Sequence, residues 1–308
     1  MRSAEGPRAR ARPEGTAVEV AGRRLQLSNL DKVIWPATGT TKGDLVTYYL
    51  EVAPAILPHL SGRALTLKRY PDGVEGGSFY EKNCPSHRPG WVPTSSMGGT
   101  AYCRAEEPAT LVWLANLASV ELHPGLGRLP DLGSPTAVVF DLDPGPPAGL
   151  VQCCRVALAV RDLLSQLGLH SWAKTSGNKG LQVYAPLNSG ATYASTAPFA
   201  KAVARLLERR HPDLVLSHQQ RAARTGKVLI DWAQNGASRT TVSVYSLRAA
   251  ARPTVSTPVR WDEVERALGA GDADQLRFDW RAVLRRLESE GELMRPVLEL
   301  SQELPELG

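Results

Sequence analysis

The sequence predicts an α/β (α+β) fold, a mixed sheet with flanking helices, and three observations carry that expectation. Two strongly apolar runs, Ala137 to Asp143 and Val228 to Trp232, have the character of buried strands. Strand-like and helix-like patterns alternate irregularly, with hairpins between them, which disfavours a doubly wound sheet. The chain's 308 residues, 43% hydrophobic and 22% charged, exceed the usual single core, so one large domain or two modest ones are expected. Fibre, collagen and wholesale disorder are excluded. No run approaches the roughly 18 apolar residues of a membrane span, and the Arg/Pro start lacks the apolar core of a signal peptide. A cytosolic chain with no membrane partner is expected.

Residues 1–15 have no periodic apolar signal and read as a disordered basic tail. Ala17 to Leu27 alternates around Ala21-Gly22 and reads as a hairpin. A basic loop with Lys32 leads to Thr41, a candidate cap for the amphipathic helix carrying Leu45, Tyr48, Tyr49, Val52 and Ile56. Ala64 to Tyr80 reads as strand, Gly-rich turn, strand. Thr110 to Ser119 reads as a short helix before Val120 to His123. The apolar strand to Asp143 ends at Pro144-Gly145-Pro146-Pro147. A helix from about Leu150 to Leu167 is stopped by Gly168. Strands Trp172 to Ser176 and Leu181 to Pro186 flank the loop Gly177-Asn178-Lys179-Gly180. Helix Pro198 to Arg210, strand Val228 to Trp232, strand Thr240 to Tyr245 and a helical region Trp261 to Leu293 complete the order. The implied division is an N-terminal lobe over about 16–130, an acidic catalytic lobe over about 131–260, a helical segment over about 261–295 and a tail over 296–308.

Four cysteines, Cys84, Cys103, Cys153 and Cys154, are too few for a disulfide framework in a chain this long, and reduced packing thiols are expected. A zinc site on Cys84, His87 and Cys103 would lack its second ligand pair. Net charge is +5, which permits phosphate-rich partners without requiring them. There is no G-x-x-x-x-G-K-[ST] phosphate loop and no G-x-G-x-x-G after a strand.

Asp141 and Asp143 lie two apart on one strand, so both leave the same face about 6.6 Å apart along the chain. At an effective dielectric of about 20, two such charges repel by roughly 2–2.5 kcal/mol, and a divalent cation is the simplest compensator. Asp231 ends the second apolar strand. Three carboxylates converging from two neighbouring strands form the oxygen cage that Mg²⁺ or Mn²⁺ prefers. With two ions about 3.5–4 Å apart, the matching chemistry is nucleotidyl transfer. The same Asp-x-Asp-Pro-Gly is also good turn chemistry, and Asp231 serves equally well as a structural acid.

A triphosphate would need donors facing that cage. The loop Thr175 to Gly180 supplies the Ser176 hydroxyl, Lys179 and two glycines for close backbone approach. Arg248 offers a planar fork for the same phosphates. Each has a plainer reading, a solvated hairpin lysine and an exposed loop arginine. Lys32, Lys42, Arg224 and Lys227 form a second basic group scattered in sequence, each with the plainer reading of surface charge. Phe79 and Tyr80, near Lys68, offer a platform for base stacking, although strand alternation would leave at most one ring free.

With these residues assembled, the chain resembles the polymerase domain of bacterial DNA ligase D, in the archaeo-eukaryotic primase superfamily. The resemblance runs from about Ala17 to Arg295. It rests on L-S-N-L-D-K-V-I-W-P (27–36), T-T-K (40–42), L-K-R-Y-P-D-G-V (67–74), F-Y-E-K-N (79–83), F-D-L-D-P-G (140–145), T-S-G-N-K-G-L (175–181), V-L-I-D-W-A-Q-N (228–235) and Y-S-L-R (245–248). It implies a primase-like mixed-sheet catalytic core. It implies that Asp141, Asp143 and Asp231 bind two divalent ions, Mn²⁺ or Mg²⁺. It further implies that Lys68, Ser176, Lys179 and Arg248 hold the incoming NTP or dNTP, with His123 near it and Phe79 and Tyr80 stacking. Lys32, Lys42 and Arg224 would grip a downstream 5′-phosphate. Gln182 departs from the family's usual histidine, and Pro124 to Gly127 departs from its more aromatic segment.

The implied function is a DNA-dependent nucleotidyltransferase that prefers ribonucleotides, fills gaps and extends ends in bacterial non-homologous end joining. Its implied partners are gapped or primer-template DNA ends, Ku and a DNA ligase, and its implied location is cytoplasmic and nucleoid-associated. With about 15 residues before the similarity and 13 after it, a stand-alone polymerase or an excised domain is expected. Two alternatives stand beside this reading: a non-catalytic module that bridges DNA ends, and a primase that needs no primer.

Overall fold

A computed structural model describes residues 15–305 of the chain, so the tail expected over 1–15 lies, Gly15 apart, outside the described residues. The expected hairpin forms from Thr16–Val20 and Arg23–Leu27. The next helix, Lys42–Glu51, starts where its sequence says it should. Thr41 accepts from the Asp44 amide through its hydroxyl, and the Asp44 carboxylate accepts from the Thr41 amide, a reciprocal cap. Its inward tyrosines tie distant segments together. Tyr48 donates to the Tyr245 carbonyl and Tyr49 to the Val120 carbonyl, each at 2.7 Å.

The N-terminal lobe is built on a five-stranded sheet. Strand Leu65–Arg69 pairs with Phe79–Glu81, Thr100–Cys103 and Ser119–Pro124, and Thr94–Met97 extends the sheet beyond Thr100–Cys103. Cys84 and Cys103, expected as reduced packing thiols, form a disulfide with their Cα atoms 4.8 Å apart. They are 19 residues apart in sequence, and only the return of the chain along the sheet edge brings them together. Cys153 and Cys154 are free and buried, as expected.

The second lobe carries a six-stranded sheet in the spatial order Val215–Leu216, Val228–Asp231, Ala137–Pro144, Leu181–Pro186, Trp172–Thr175, Pro258–Val259. Only the first pair is parallel, so the sheet is mixed. Period-2 alternation sorts the central strand into two sets. Val138, Phe140 and Leu142 join the core beneath helices Leu150–Gln166, Tyr193–Arg210 and Trp261–Ala270. Asp141 and Asp143 face the other way. Full burial of each large apolar side chain in that core stabilises the fold by about 1.5–3 kcal/mol.

Three further expectations need correction. Thr240 to Tyr245 is not a strand. Thr241 and Ser243 donate to the Pro124 and Leu122 carbonyls, but the ladder goes no further, and Tyr245 turns into the left-handed region at φ 62°. The strand forms just beyond, at Leu247–Ala249. The lobes also do not follow one another in simple chain order. Val244, Leu247, Val255, Trp280 and Val297 pack into the N-terminal core. The segment expected to trail off after 295 forms a short helix, Arg295–Glu299, and Gln302 then bonds to Leu187, His170 and Pro186.

Candidate active site between the lobes

Strand register sets out the acids. Asp141 lies directly opposite Asp231 on one neighbouring strand and opposite Gln182 on the other, and Gln182 lies opposite Lys174. Facing residues in antiparallel pairs share a face, so Asp231, Asp141, Gln182 and Lys174 form one row across the sheet. Asp143 lies two residues along from Asp141 on that face. Burial, then Asp143 and Asp231, push the Asp141 carboxyl up to about 7, while the Gln182 amide, donating to it at 3.0 Å, and Lys174 work against that. Lys174 is fully buried, its ammonium donating to the Val242 carbonyl at 3.1 Å and to Ser256 Oγ at 2.6 Å. Burial lowers it to about 7.

Asp141 and Asp143 line a cleft of about 230 Å³ together with Tyr80, His123, Ser176, Lys179 and Arg248. Seven of the proposed site residues, from blocks far apart in sequence, thus share one hollow. Asp231, although Asp141's register partner, is turned aside. Its carboxylate accepts from the Ala233 amide at 3.2 Å and from Gln234 Nε2 at 2.9 Å. Among the described residues, no three His, Cys, Asp or Glu side chains are arranged to ligate one ion as they stand. The donor set still suits a divalent cation. Among the described residues no cation is bonded to Asp141 or Asp143, which crowd one face, and Asp231 stands opposite Asp141 in register while its carboxylate caps the following turn.

The loop between strands Trp172–Thr175 and Leu181–Pro186 is folded around Ser176, whose hydroxyl accepts from the Gly180 amide at 3.1 Å and from the Asn178 amide at 3.3 Å. Its two glycines are required by space. A Cβ on Gly180 would stand 2.2 Å from the Leu142 carbonyl oxygen. Gly177, at φ +71°, would carry one 2.7 Å from the Ser256 amide nitrogen.

Facing this loop, buried Glu121 gathers the cations. Arg248 approaches one carboxylate oxygen at 3.6 Å and Lys68 the other at 4.0 Å, while Tyr70 donates at 3.2 Å and the His123 ring nitrogen lies at 3.0 Å. Burial raises its carboxyl, but His123, Arg248 and Lys68 outweigh that and bring it down to about 2. Burial also lowers the pKa of His123 against the pull of Glu121. Glu121, Lys174 and Gln234 join the site without belonging to the residues that the sequence pattern singles out. Glu121 was visible as the residue two before His123 on the same strand face.

Phe79 and Tyr80 are both exposed, at 45% and 59%, where alternation suggested one buried ring. Their strand is three residues long at the sheet edge, with solvent on both faces. They point to opposite faces. Tyr80 meets His123 edge-on at 5.7 Å with Lys68 above it at 5.3 Å, on the cleft side. Phe79 stacks under Arg69 at 5.3 Å, on the other side. Lys42 is lowered to about 8 by burial and by the charges of Lys32 and Arg69, so these three cations are neighbours. Lys32 pairs with Asp72 at 3.1 Å, and Lys42 donates to the Ser28 carbonyl at 2.6 Å. Arg224 stands apart from them. Its side chain bonds Gln219 at 2.6 Å, and its carbonyl lies against Gly145 in the other lobe. Lys32 and Lys42 thus stand with Arg69, which carries Phe79 beneath it, while Arg224 is carried by the other lobe.

A family model described as the LigD primase-polymerase domain matches residues 41–294. The multifunctional non-homologous end joining protein LigD of Mycolicibacterium smegmatis is 40% identical over 280 residues, covering 89% of this chain and 36% of the relative. The bifunctional LigD of Bacillus subtilis is 33% identical over 246 residues, covering 80% of this chain and 40% of the relative. The chain therefore spans well under half the length of these curated relatives. Among solved structures, the polymerase domain of Mycobacterium tuberculosis ligase D in complex with DNA superposes with a TM-score of 0.82 at 37% identity. That match covers 91% of this chain and 99% of the other.

Proposed function

Because the chain belongs to the LigD primase-polymerase domain family, we propose that it is a DNA-dependent nucleotidyltransferase that fills gaps and extends ends in non-homologous end joining. The observation that carries this is the single cleft in which Asp141 and Asp143 meet Ser176, Lys179, His123 and Arg248. A primer 3′-hydroxyl oxygen forms a bond to the α-phosphorus of a nucleoside triphosphate. The bond from that phosphorus to the bridging oxygen breaks, and pyrophosphate leaves. Asp141 and Asp143, with Asp231 rotated toward them, would hold two divalent ions, which supply charge neutralisation at both oxygens and a more acidic hydroxyl.

The remaining work belongs to the side chains. Lys179 and Arg248, with Lys68 behind them, set positive charge where the triphosphate is negative, and the Ser176 hydroxyl can turn from its loop amides toward an oxygen. Glu121 keeps Lys68 and Arg248 in place without neutralising the cleft, because it is shared among Lys68, Arg248, His123 and Tyr70. Tyr80, exposed at the mouth, can stack on a base. Lys32 and Lys42, with Arg69 and Phe79, suit a phosphorylated 5′ end. Preference for ribonucleotides, and Ku and a DNA ligase as partners at chromosomal breaks in the bacterial cytoplasm, belong to the same proposal and follow from the family resemblance of the motif blocks.

The test is nucleotide incorporation on a gapped duplex with and without a recessed 5′-phosphate, in Mn²⁺ and in Mg²⁺. Incorporation stimulated by the phosphate is expected. Asp141→Ala should abolish it and leave DNA binding unchanged, since phosphate contacts set affinity. Tight phosphate-dependent binding with no incorporation in either metal would leave an end-bridging module instead. Synthesis that persists with the primer omitted would make the chain a primase.

A further inference from the structure

On the far side of Asp231 lies a second hollow, of about 460 Å³, whose walls include Lys201, Arg205, His218, Gln219, Asp231 and Trp232. Lys201 and Arg205 belong to helix Tyr193–Arg210, and Arg209 continues their line one turn on. Residues four apart lie on one helix face about 6 Å apart along its axis, so the three cations form a stripe. Arg205 and Arg209 are exposed. None of the three is paired with a carboxylate among the described residues. Lys201 lies over the Trp232 ring at 4.9 Å, immediately beside Asp231. The other carboxylate of the hollow, Glu208, accepts from the Ser217 hydroxyl, with His218 at 3.7 Å.

The hollow and the nucleotide loop stand on opposite sides of the acids. Asp231's strand flanks Asp141's strand on one side; Gln182's strand, which leads into the Ser176–Lys179 loop, flanks it on the other. In-line displacement at phosphorus requires the attacking oxygen and the leaving oxygen to lie on opposite sides of the reacting centre. With the triphosphate on the Ser176 side, the hydroxyl-bearing strand must arrive from the Asp231 side. From this we infer that Lys201, Arg205 and Arg209 form the track for the backbone phosphates of the strand whose 3′ end is extended, with the hollow beside Asp231 receiving its terminal nucleotides. This assignment rests on the polymerase reading above and adds the binding surface for one of its two substrates.

The experiment compares the full chain with the triple variant K201A/R205A/R209A. Fluorescence anisotropy reads binding of a 3′-hydroxyl-ended single-stranded oligodeoxynucleotide over a salt series, and extension assays give KM for primer and for nucleotide. The variant should lose on the order of tenfold in strand affinity at low salt, and its log–log salt slope should shrink by about 2, at about 0.7 per phosphate contact on a single strand. Primer KM should rise in step, with kcat and nucleotide KM unchanged. The charge-preserving variant K201R/R205K should keep the parent's slope. Unaltered strand affinity and slope in the triple variant would overturn the assignment, as would an equal loss on a blunt 5′-phosphorylated duplex, or loss of slope in the charge-preserving variant. Anisotropy needs no turnover, so absence of incorporation by the unsubstituted chain would sink the polymerase reading and leave the strand assignment to be scored separately.

Discussion

Asp141 concentrates the electrostatic problem of the site in one side chain. Its carboxyl is pushed up to about 7 by burial, then by Asp143 and Asp231, whereas in an unfolded chain it titrates near about 3.9. The folded state therefore binds more protons than the unfolded state between about pH 4 and pH 7, and stability from this group is lost as pH rises through that window. In divalent-free buffer, Tm should decline from about pH 4 to about pH 7, and Asp141→Asn should flatten the decline. A variant with the parent's pH profile would show that other groups set it. Lys174 is the row's buried cation. Lys174→Met would strand the Val242 carbonyl and the Ser256 hydroxyl without their donor, at a cost of about 1–3 kcal/mol, measurable by urea unfolding. Both acids were legible from their spacing. Lys174 was not, because a lysine in a strand pattern looks like surface until register puts it opposite Gln182.

At the scale of elements, the nucleotide loop depends on backbone room. Gly177→Ala forces a left-handed φ on an L-residue, at about 1–2 kcal/mol, and drives a methyl group into the Ser256 amide. If that cost falls on the loop's binding-ready shape, nucleotide KM should rise about tenfold, with Tm changed little. Equal KM in variant and parent would show that the loop rearranges when nucleotide binds. The Cys84–Cys103 link closes a loop of 19 residues near the edge strand that carries Phe79 and Tyr80. A closure of this length contributes about 3 kcal/mol, so added reductant should lower Tm by several degrees and expose two further thiols to titration. Four reactive thiols before reduction would rule the link out. The glycines of the loop were readable from T-S-G-N-K-G. The link was not, since pairing of two cysteines depends on where the sheet returns the chain.

The whole molecule is held together by segments that cross between its two cores. Val297 packs on the N-terminal core, Leu304 packs against the catalytic one, and Gln302 bonds to His170 and Pro186. Removing residues 295–308 should therefore lower Tm by several degrees and raise proteolytic cleavage in both lobes, as limited proteolysis would measure. An unchanged digestion pattern would show that the crossing is dispensable.

By itself, the sequence determined the central strands, the Thr41-capped helix, the order of the eight motif blocks and the shared face of Asp141 and Asp143. These follow from periodicity and residue chemistry over a few neighbouring positions. Tertiary structure alone decided that Phe79 and Tyr80 face opposite ways, that Arg224 is carried by a different lobe from Lys32 and Lys42, that Glu121 gathers the cations, and that Asp231 lines a second hollow while Asp141 and Asp143 line the first. Those relations are set by strand register and lobe packing, where one residue of slip would reverse every side chain, and local pattern carries no information about that choice.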